Sequence, residues 1–306
     1  MKAKQALNNA VLDNMLTTRF RTWRPVALLS AYEIVLVGVI ALTMTLLSMG
    51  DAVDSQVAGQ TMYATLAVFQ LVMILLIMPA LTGSAISAER EKKTMDLLLC
   101  TQMRPAGIVL GKLLSSCLFM GLCVVCSMPM VTMAYLYGGV SLLSILQILA
   151  IDLVTIVGVG AIGLFFSTML QRTAASIIVS YLAVFFLGIG STFGGVLDLS
   201  VQSVRQVSTS AASPGLYYPL IWLMNPFFAL IDVLGQGMGV SSGIFGIFTS
   251  NALATHPHWS WTLLVVGVIA ALLVWASAAA LSPRGMWNRW KRSATPVATS
   301  KANGGA

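Results

Sequence analysis

Six stretches of this chain are apolar for long enough to cross a lipid bilayer. A spanning helix needs about 20 consecutive, mostly apolar residues. Residues 26–48, 63–86, 113–137, 143–170, 174–197 and 261–281 meet that length. Of 306 residues 58% are hydrophobic and 9% charged, whereas soluble domains carry roughly 25% charged residues. So few charges cannot cover the surface of a water-soluble globule, but lipid does not penalise apolar surface. The chain reads as an all-α polytopic membrane protein with a transmembrane domain over 26–282. Its first apolar run follows a basic stretch and is too long for a cleavable signal, so it reads as a retained span.

Lys and Arg give the direction of insertion, because cytoplasmic loops carry their excess. Lys2, Lys4, Arg19, Arg21 and Arg24 precede the first span, and Arg90, Lys92, Lys93, Arg104 and Lys112 lie between the second and third. Arg172 lies between the fourth and fifth, and Arg284, Arg289, Lys291, Arg292 and Lys301 follow the sixth. Arg205 falls on the other side, where Asp51 and Asp54 also sit. Both termini are therefore expected in the cytoplasm. The net charge of +7 is a topology signal, and no nucleic-acid partner is expected.

Residues 217–235 test the count of spans. Asn225 suits an N-cap, Pro226 the first helical position and Gly235 a C-terminal stop. The helix so bounded is about nine residues, near 14 Å at 1.5 Å per residue, which is half a bilayer. It reads as a short external or re-entrant helix within an external segment over about 198–260, with residues 241–255 supplying a second short piece. A seventh span would also place Arg289–Arg292 outside. The segment 1–25 is read as an amphipathic helix lying in the membrane interface, with Val11, Leu12, Met15, Leu16, Phe20 and Trp23 on one face. The tail 283–306 reads as a basic, disordered cytosolic segment.

The loop after the second span is the most informative. It begins as a charged helix, with Glu89 and Lys93 spaced as an i,i+4 pair. Met95, Leu98, Leu99 and Cys100 form a short apolar stripe, Arg104-Pro105 breaks the helix, and Gly111-Lys112 leads into the third span. Physics alone leaves two roles open for such a helix: a cap on the bundle, or a docking surface for a soluble partner.

The run Glu89-Arg-Glu-Lys-Lys-Thr-Met-Asp-Leu-Leu-Leu-Cys-Thr, followed by Ile108-Val-Leu-Gly-Lys112, resembles the signature of type-2 ATP-binding-cassette (ABC) permeases. Gly163-Leu-Phe-Phe-Ser-Thr-Met-Leu-Gln-Arg-Thr-Ala-Ala-Ser resembles that family's turn between spans four and five, and Asn225-Pro-Phe-Phe-Ala-Leu its short helix before span six. The chain departs from the pattern at Lys93, where a small residue is usual, and in delaying the proline after Thr101 to Pro105. The resemblance implies a cytosolic coupling helix over about 87–104 that docks cytosolic ABC ATPase subunits through Glu89, Glu91, Thr94 and Asp96. It also implies a dimer with a second permease copy or a paralogue, export rather than import, and a bacterial plasma (inner) membrane.

The chain is not expected to be an enzyme or to hold a cofactor. Gly107-Ile-Val-Leu-Gly111-Lys112-Leu113 has three residues where a phosphate-binding loop has four, and lacks the hydroxyl that would meet Mg²⁺. ATP and Mg²⁺ are expected in the partner ATPase.

Ionisable groups inside a membrane mark functional positions by default. Glu33 lies about two turns into the first span, either on a pathway or in an interfacial pair with Arg24 or another basic residue. Asp152 lies in the outer half of the fourth, either on a pathway or in a buried hydrogen bond, with no basic residue near it in sequence. Gln70 reads as interhelical glue, and Gly158, Gly160, Gly163, Gly188 and Gly190 as surfaces for close helix approach. Cys123-Val-Val-Cys126 lies in an apolar run, where the cysteines serve as small hydrophobes. His256-Pro-His258 has no third ligand nearby, and no catalytic or metal site is expected.

Two other readings are a self-sufficient secondary transporter and a non-transporting membrane partner or sensor on the same scaffold. The first calls for coupling residues near the midplane and paired broken helices, and no internal repeat is visible. A membrane enzyme would need clustered His, Asp or Glu, which the sequence lacks. No residue selects a cargo.

Overall fold

The computed structural model describes residues 23–49, 54–93, 105–194, 197, 222–238 and 258–281; of these, the side chains of 24, 105, 222, 236–238 and 258 are left aside. Every regular element among them is helical: α1 (Trp23–Ser48), α2 (Ser55–Gly83), α3 (Ser87–Glu91), α4 (Pro105–Cys126), α5 (Met128–Leu136), α6 (Leu142–Met169), α7 (Thr173–Phe185), α8 (Pro226–Met238) and α9 (His258–Leu281). A π-helical turn, Phe186–Gly190, extends α7, and a 3₁₀ turn, Trp222–Met224, precedes α8. Six of the resulting rods are long and apolar enough to cross a membrane.

The outward faces explain why this bundle needs lipid. On α4, Leu110, Leu114, Leu118, Leu122 and Val125 are all exposed, one helical turn apart. On α9, Trp261, Leu264, Val268, Leu272 and Trp275 form a matching stripe. Unbroken apolar stripes of this length have no place on a water-soluble monomer. The chain is a polytopic, all-α membrane protein.

Helix α6 is the axis, packing against α2, α4, α7, α8 and α9. Its glycines make that possible, and three of them meet different neighbours. A Cβ on Gly158 would lie 2.7 Å from Val266 Cγ1 of α9, one on Gly160 2.7 Å from Met78 Cε of α2, and one on Gly163 2.1 Å from Thr82 Oγ1 of α2. Gly188 and Gly190 behave differently from the expectation: nothing lies within 4 Å of a Cβ added at either.

Four boundaries depart from the sequence reading, one of them the start of the third span, at Pro105 rather than at 113. The second span starts at Ser55 rather than at 63, because its polar first turns pack on the α5–α6 turn. There Gly138 and Gly139 have φ of 92° and 79°, and Gln60 Nε2 donates to the Gly139 carbonyl at 3.1 Å. The third span is two helices. Pro129 cannot donate a backbone hydrogen bond inside it, and Ser127 turns its hydroxyl back to the Val124 carbonyl at 2.8 Å, so the rod breaks at Ser127. The short helix before the last span runs past Gly235 to Met238.

That short helix packs into the bundle. Ala229, Leu230, Val233 and Leu234 of α8 are buried with Met62, Ala67 and Leu71 of α2 and Ile148 and Ile151 of α6. Asn225 caps it as expected, its Oδ1 accepting from Phe227 N at 3.0 Å. Its Nδ2 donates to Gly188 O at 3.0 Å and Ser191 Oγ at 2.8 Å, on and just after the π-helical turn. A cavity of about 60 Å³ lies at this junction, lined by Thr155, Gly158, Leu187, Gly188, Asn225 and Val266 among others.

Candidate functional site

Arg90, Lys92, Lys93, Lys112 and Arg172 gather at one end of the bundle, beside the short helix α3. α3 is the first turn and a half of the loop that carries the family-like motif. It stops at Glu91 because Lys93 adopts φ of 55°. The i,i+4 pairing of Glu89 with Lys93 therefore gives way to a different one. Lys112, near the start of α4 and only 6% exposed, reaches Glu89 Oε1 at 2.6 Å and also donates to the Ala85 carbonyl.

Two further contacts fasten α3. The Ser167 hydroxyl, near the end of α6, accepts from Ile86 N at 2.9 Å and Ser87 N at 3.0 Å. These are backbone donors at the start of a helix, which otherwise lack partners. The Glu91 carboxylate accepts from the Thr173 backbone N–H at 3.2 Å and from the Thr173 hydroxyl. It sits at the amino terminus of α7, where the helix dipole favours an anion. A five-residue helix is thus joined to three separate spans by an ion pair, a hydroxyl bridge and a carboxylate cap.

Of the residues expected to face an ATPase, Glu89 and Glu91 are placed here. Both spend their carboxylates on intramolecular contacts, although Glu91 remains exposed. Thr94 and Asp96 lie outside the described residues, as do most of the coupling helix over 87–104, the interfacial segment to residue 22 and the basic tail.

A second polar group is buried deep in the bundle. Asp152 on α6 is fully buried, and its Oδ2 accepts from Gln70 Nε2 of α2 at 2.9 Å. Gln70 Oε1 in turn accepts from the Ser127 hydroxyl at 3.3 Å, so the broken third span closes the chain of contacts. Gln70 is interhelical glue, as its sequence reading had it. Asp152 Oδ1 has no hydrogen-bond partner among the described residues, and neither has the buried hydroxyl of Tyr63. Both residues line a cavity of about 10 Å³, with Gln70 and Met128 among its other walls. Glu33 is half-buried on α1, and its Oε1 is buried without a hydrogen-bond partner among the described residues.

Sequence reasoning missed Ser167, Thr173, Ser127 and Tyr63. Ser127 had a local signal in the nearby Pro129. Ser167 and Thr173 had none, because their partners lie about eighty positions away, and neither had Tyr63, which meets the cavity it shares with Asp152 only through the fold.

The described residues hold no group of three or more His, Cys, Asp or Glu arranged to bind a metal ion. Fold and site together define a multi-pass α-helical membrane protein with a fastened charged helix at one end and a buried polar cluster inside. No protein-family model matches the chain, and no curated protein matches it.

Proposed function

We propose that the chain is the membrane-spanning permease subunit of an ATP-driven exporter of the type-2 ABC kind. It works as a dimer with a second copy or a paralogue and docks separate cytosolic ATPase subunits. The observation that carries this reading is the fastening of α3 to α4, α6 and α7. A helix that only capped the bundle would need no separate tie to each of three spans. A lever needs them, because a push on the helix must move several spans together.

On this reading the charged end faces the cytoplasm, in keeping with the positive-inside rule. Closure of the ATPase around ATP displaces the coupling segment, and the Glu89–Lys112, Ser167 and Glu91–Thr173 contacts pass the displacement to the spans. ATP and Mg²⁺ are held by the partner, so this subunit hydrolyses nothing itself. The ATPase-facing surface is the segment that includes Thr94 and Asp96, with the exposed edge of Glu91.

The test is affinity purification of the tagged chain from its host in mild detergent. A soluble ATPase should accompany it in stoichiometric amount and be lost when Glu89 and Glu91 are both changed to Lys. Purification of the folded chain without any ATPase would count against the reading.

A further inference from the structure

We propose that the buried cluster between α2, the α4–α5 break and α6 binds one dehydrated monovalent cation of sodium size. The Asp152 carboxylate is its anionic ligand and the Tyr63 hydroxyl its second oxygen. Asp152 is fully buried and Tyr63 is 3% exposed. Both line the same cavity of about 10 Å³, and each carries an oxygen without a hydrogen-bond partner among the described residues. Buried polar atoms are ordinarily satisfied, so two such oxygens at one small cavity point to a ligand that the protein itself does not supply.

The chemistry of the lining selects the ligand. An isolated carboxylate is not left buried without a compensating cation or proton. Among the residues whose side chains are described, Arg90, Lys92, Lys93, Lys112 and Arg172 stand at the far, charged end of the bundle and none lines the cavity, which leaves the place open to a cation from solution. Every polar group around the cavity is a hard oxygen donor or an amide: Asp152, Tyr63, Gln70, and Ser127 behind it. Hard oxygen sets suit alkali and alkaline-earth ions rather than zinc or copper. One carboxylate among neutral oxygens matches a single positive charge, whereas sites for Ca²⁺ bring together six to eight oxygens, several of them carboxylate.

Size narrows the choice further. A cavity of this volume holds about one water or one small bare ion. A proton on Asp152 is the competing neutraliser and would offer the Tyr63 hydroxyl a donor, but it needs no cavity, and a sodium-binding measurement separates the two. The Gln70 amide is already arranged for the task. Its N–H group holds Asp152 Oδ2 at 2.9 Å, while its oxygen accepts only one long contact, from Ser127 at 3.3 Å, and retains a lone pair for an ion. The site also joins the broken third span to the axial helix, so loading it would stiffen that break.

The experiment is equilibrium binding of radiolabelled sodium to the purified full-length chain in detergent. Choline holds ionic strength constant, and measurements are made at acid, neutral and alkaline pH. Saturable binding approaching one ion per chain is expected. Asp152→Asn should abolish it, and Tyr63→Phe should weaken it by about tenfold or more, with size-exclusion profiles unchanged. The Tyr63 variant keeps the ring and carries the test if Asp152→Asn fails to fold. Absence of saturable sodium binding to the folded wild-type chain at every pH overturns the proposal and leaves a proton as the compensating charge. Binding that survives in folded Asp152→Asn, or that is unaltered in Tyr63→Phe, overturns it equally. Neither result bears on ATPase docking, which is read from a different end of the molecule and by co-purification.

Discussion

Lys112 of α4, almost wholly inside the bundle, holds Glu89 of α3 at 2.6 Å, with the glutamate 25% exposed. The pair crosses from a membrane span to the short helix beside it. Breaking it from the glutamate side leaves a lysine charge in a buried position, while replacing the lysine removes the charge along with its need. Glu89→Gln is therefore expected to destabilise the protein by about 1–3 kcal/mol, and Lys112→Met by less. Thermal or denaturant unfolding in detergent measures both, and the opposite order would contradict this account of the pair.

Glu91 caps α7 through Thr173 while staying exposed, so its loss should spare folding and damage transmission. Glu91→Lys places a cation beside Arg172 at the amino terminus of a helix, where the dipole disfavours it. On the lever reading this variant inserts and folds normally, yet coupled transport falls by about fivefold or more. Thr173→Val, which removes the hydroxyl bond and keeps the backbone one, should fall between it and wild type. Wild-type coupled transport in Glu91→Lys would remove Glu91 from the lever.

Close approach of α2 and α6 depends on Gly163. A methyl group there meets Thr82 Oγ1 at 2.1 Å and the Gly83 backbone nitrogen at 3.2 Å. Thr82 is itself buried and bonded to the Met78 carbonyl at 2.8 Å, so it has little room to yield. Gly163→Ala should cost about 1–3 kcal/mol through overpacking. Gly188→Ala, where a Cβ meets nothing within 4 Å, should stay within about 0.5 kcal/mol of wild type. Equal melting temperatures for the two variants would contradict the packing described for α6.

Asn225 holds both the start of α8 and the end of the fifth span. Asn225→Ala loses the cap and the contacts to Gly188 and Ser191, for an expected cost of about 2 kcal/mol. Asn225→Asp keeps an oxygen for Phe227 N but no donor for Gly188 O, and should recover only part of that loss. Full recovery in the aspartate would show that the contacts to the π-helical turn contribute nothing.

Much of this architecture could be read from the chain itself. Long apolar runs identify membrane spans because length and lack of charge are sufficient signals, and Asn225-Pro226 marks a helix start by local chemistry alone. Helix ends proved harder. Gly235 looked like a stop, but burial of Val233 and Leu234 against α2 and α6 carries α8 one turn further. Pro129 was visible in the third run, yet a proline alone does not say whether a span kinks or breaks. Asp152, Gln70 and Ser127 were legible as polar residues in apolar surroundings. Their meeting was not, since Asp152 and Gln70 are 82 positions apart and no local pattern encodes a contact of that range. The same holds for Ser167 and Thr173, ordinary hydroxyl residues until the fold brings them to α3.

The central claim is that α3 and the segment after it form a lever driven by a separate ATPase. Affinity purification of the tagged chain in mild detergent from its host, with identification of what accompanies it, tests that claim most directly. The account predicts a stoichiometric soluble ATPase, retained by the wild-type chain and lost when Glu89 and Glu91 are both reversed to Lys. A folded chain that purifies alone, or with an unrelated membrane partner, would contradict it and point instead to a self-sufficient transporter or a scaffold.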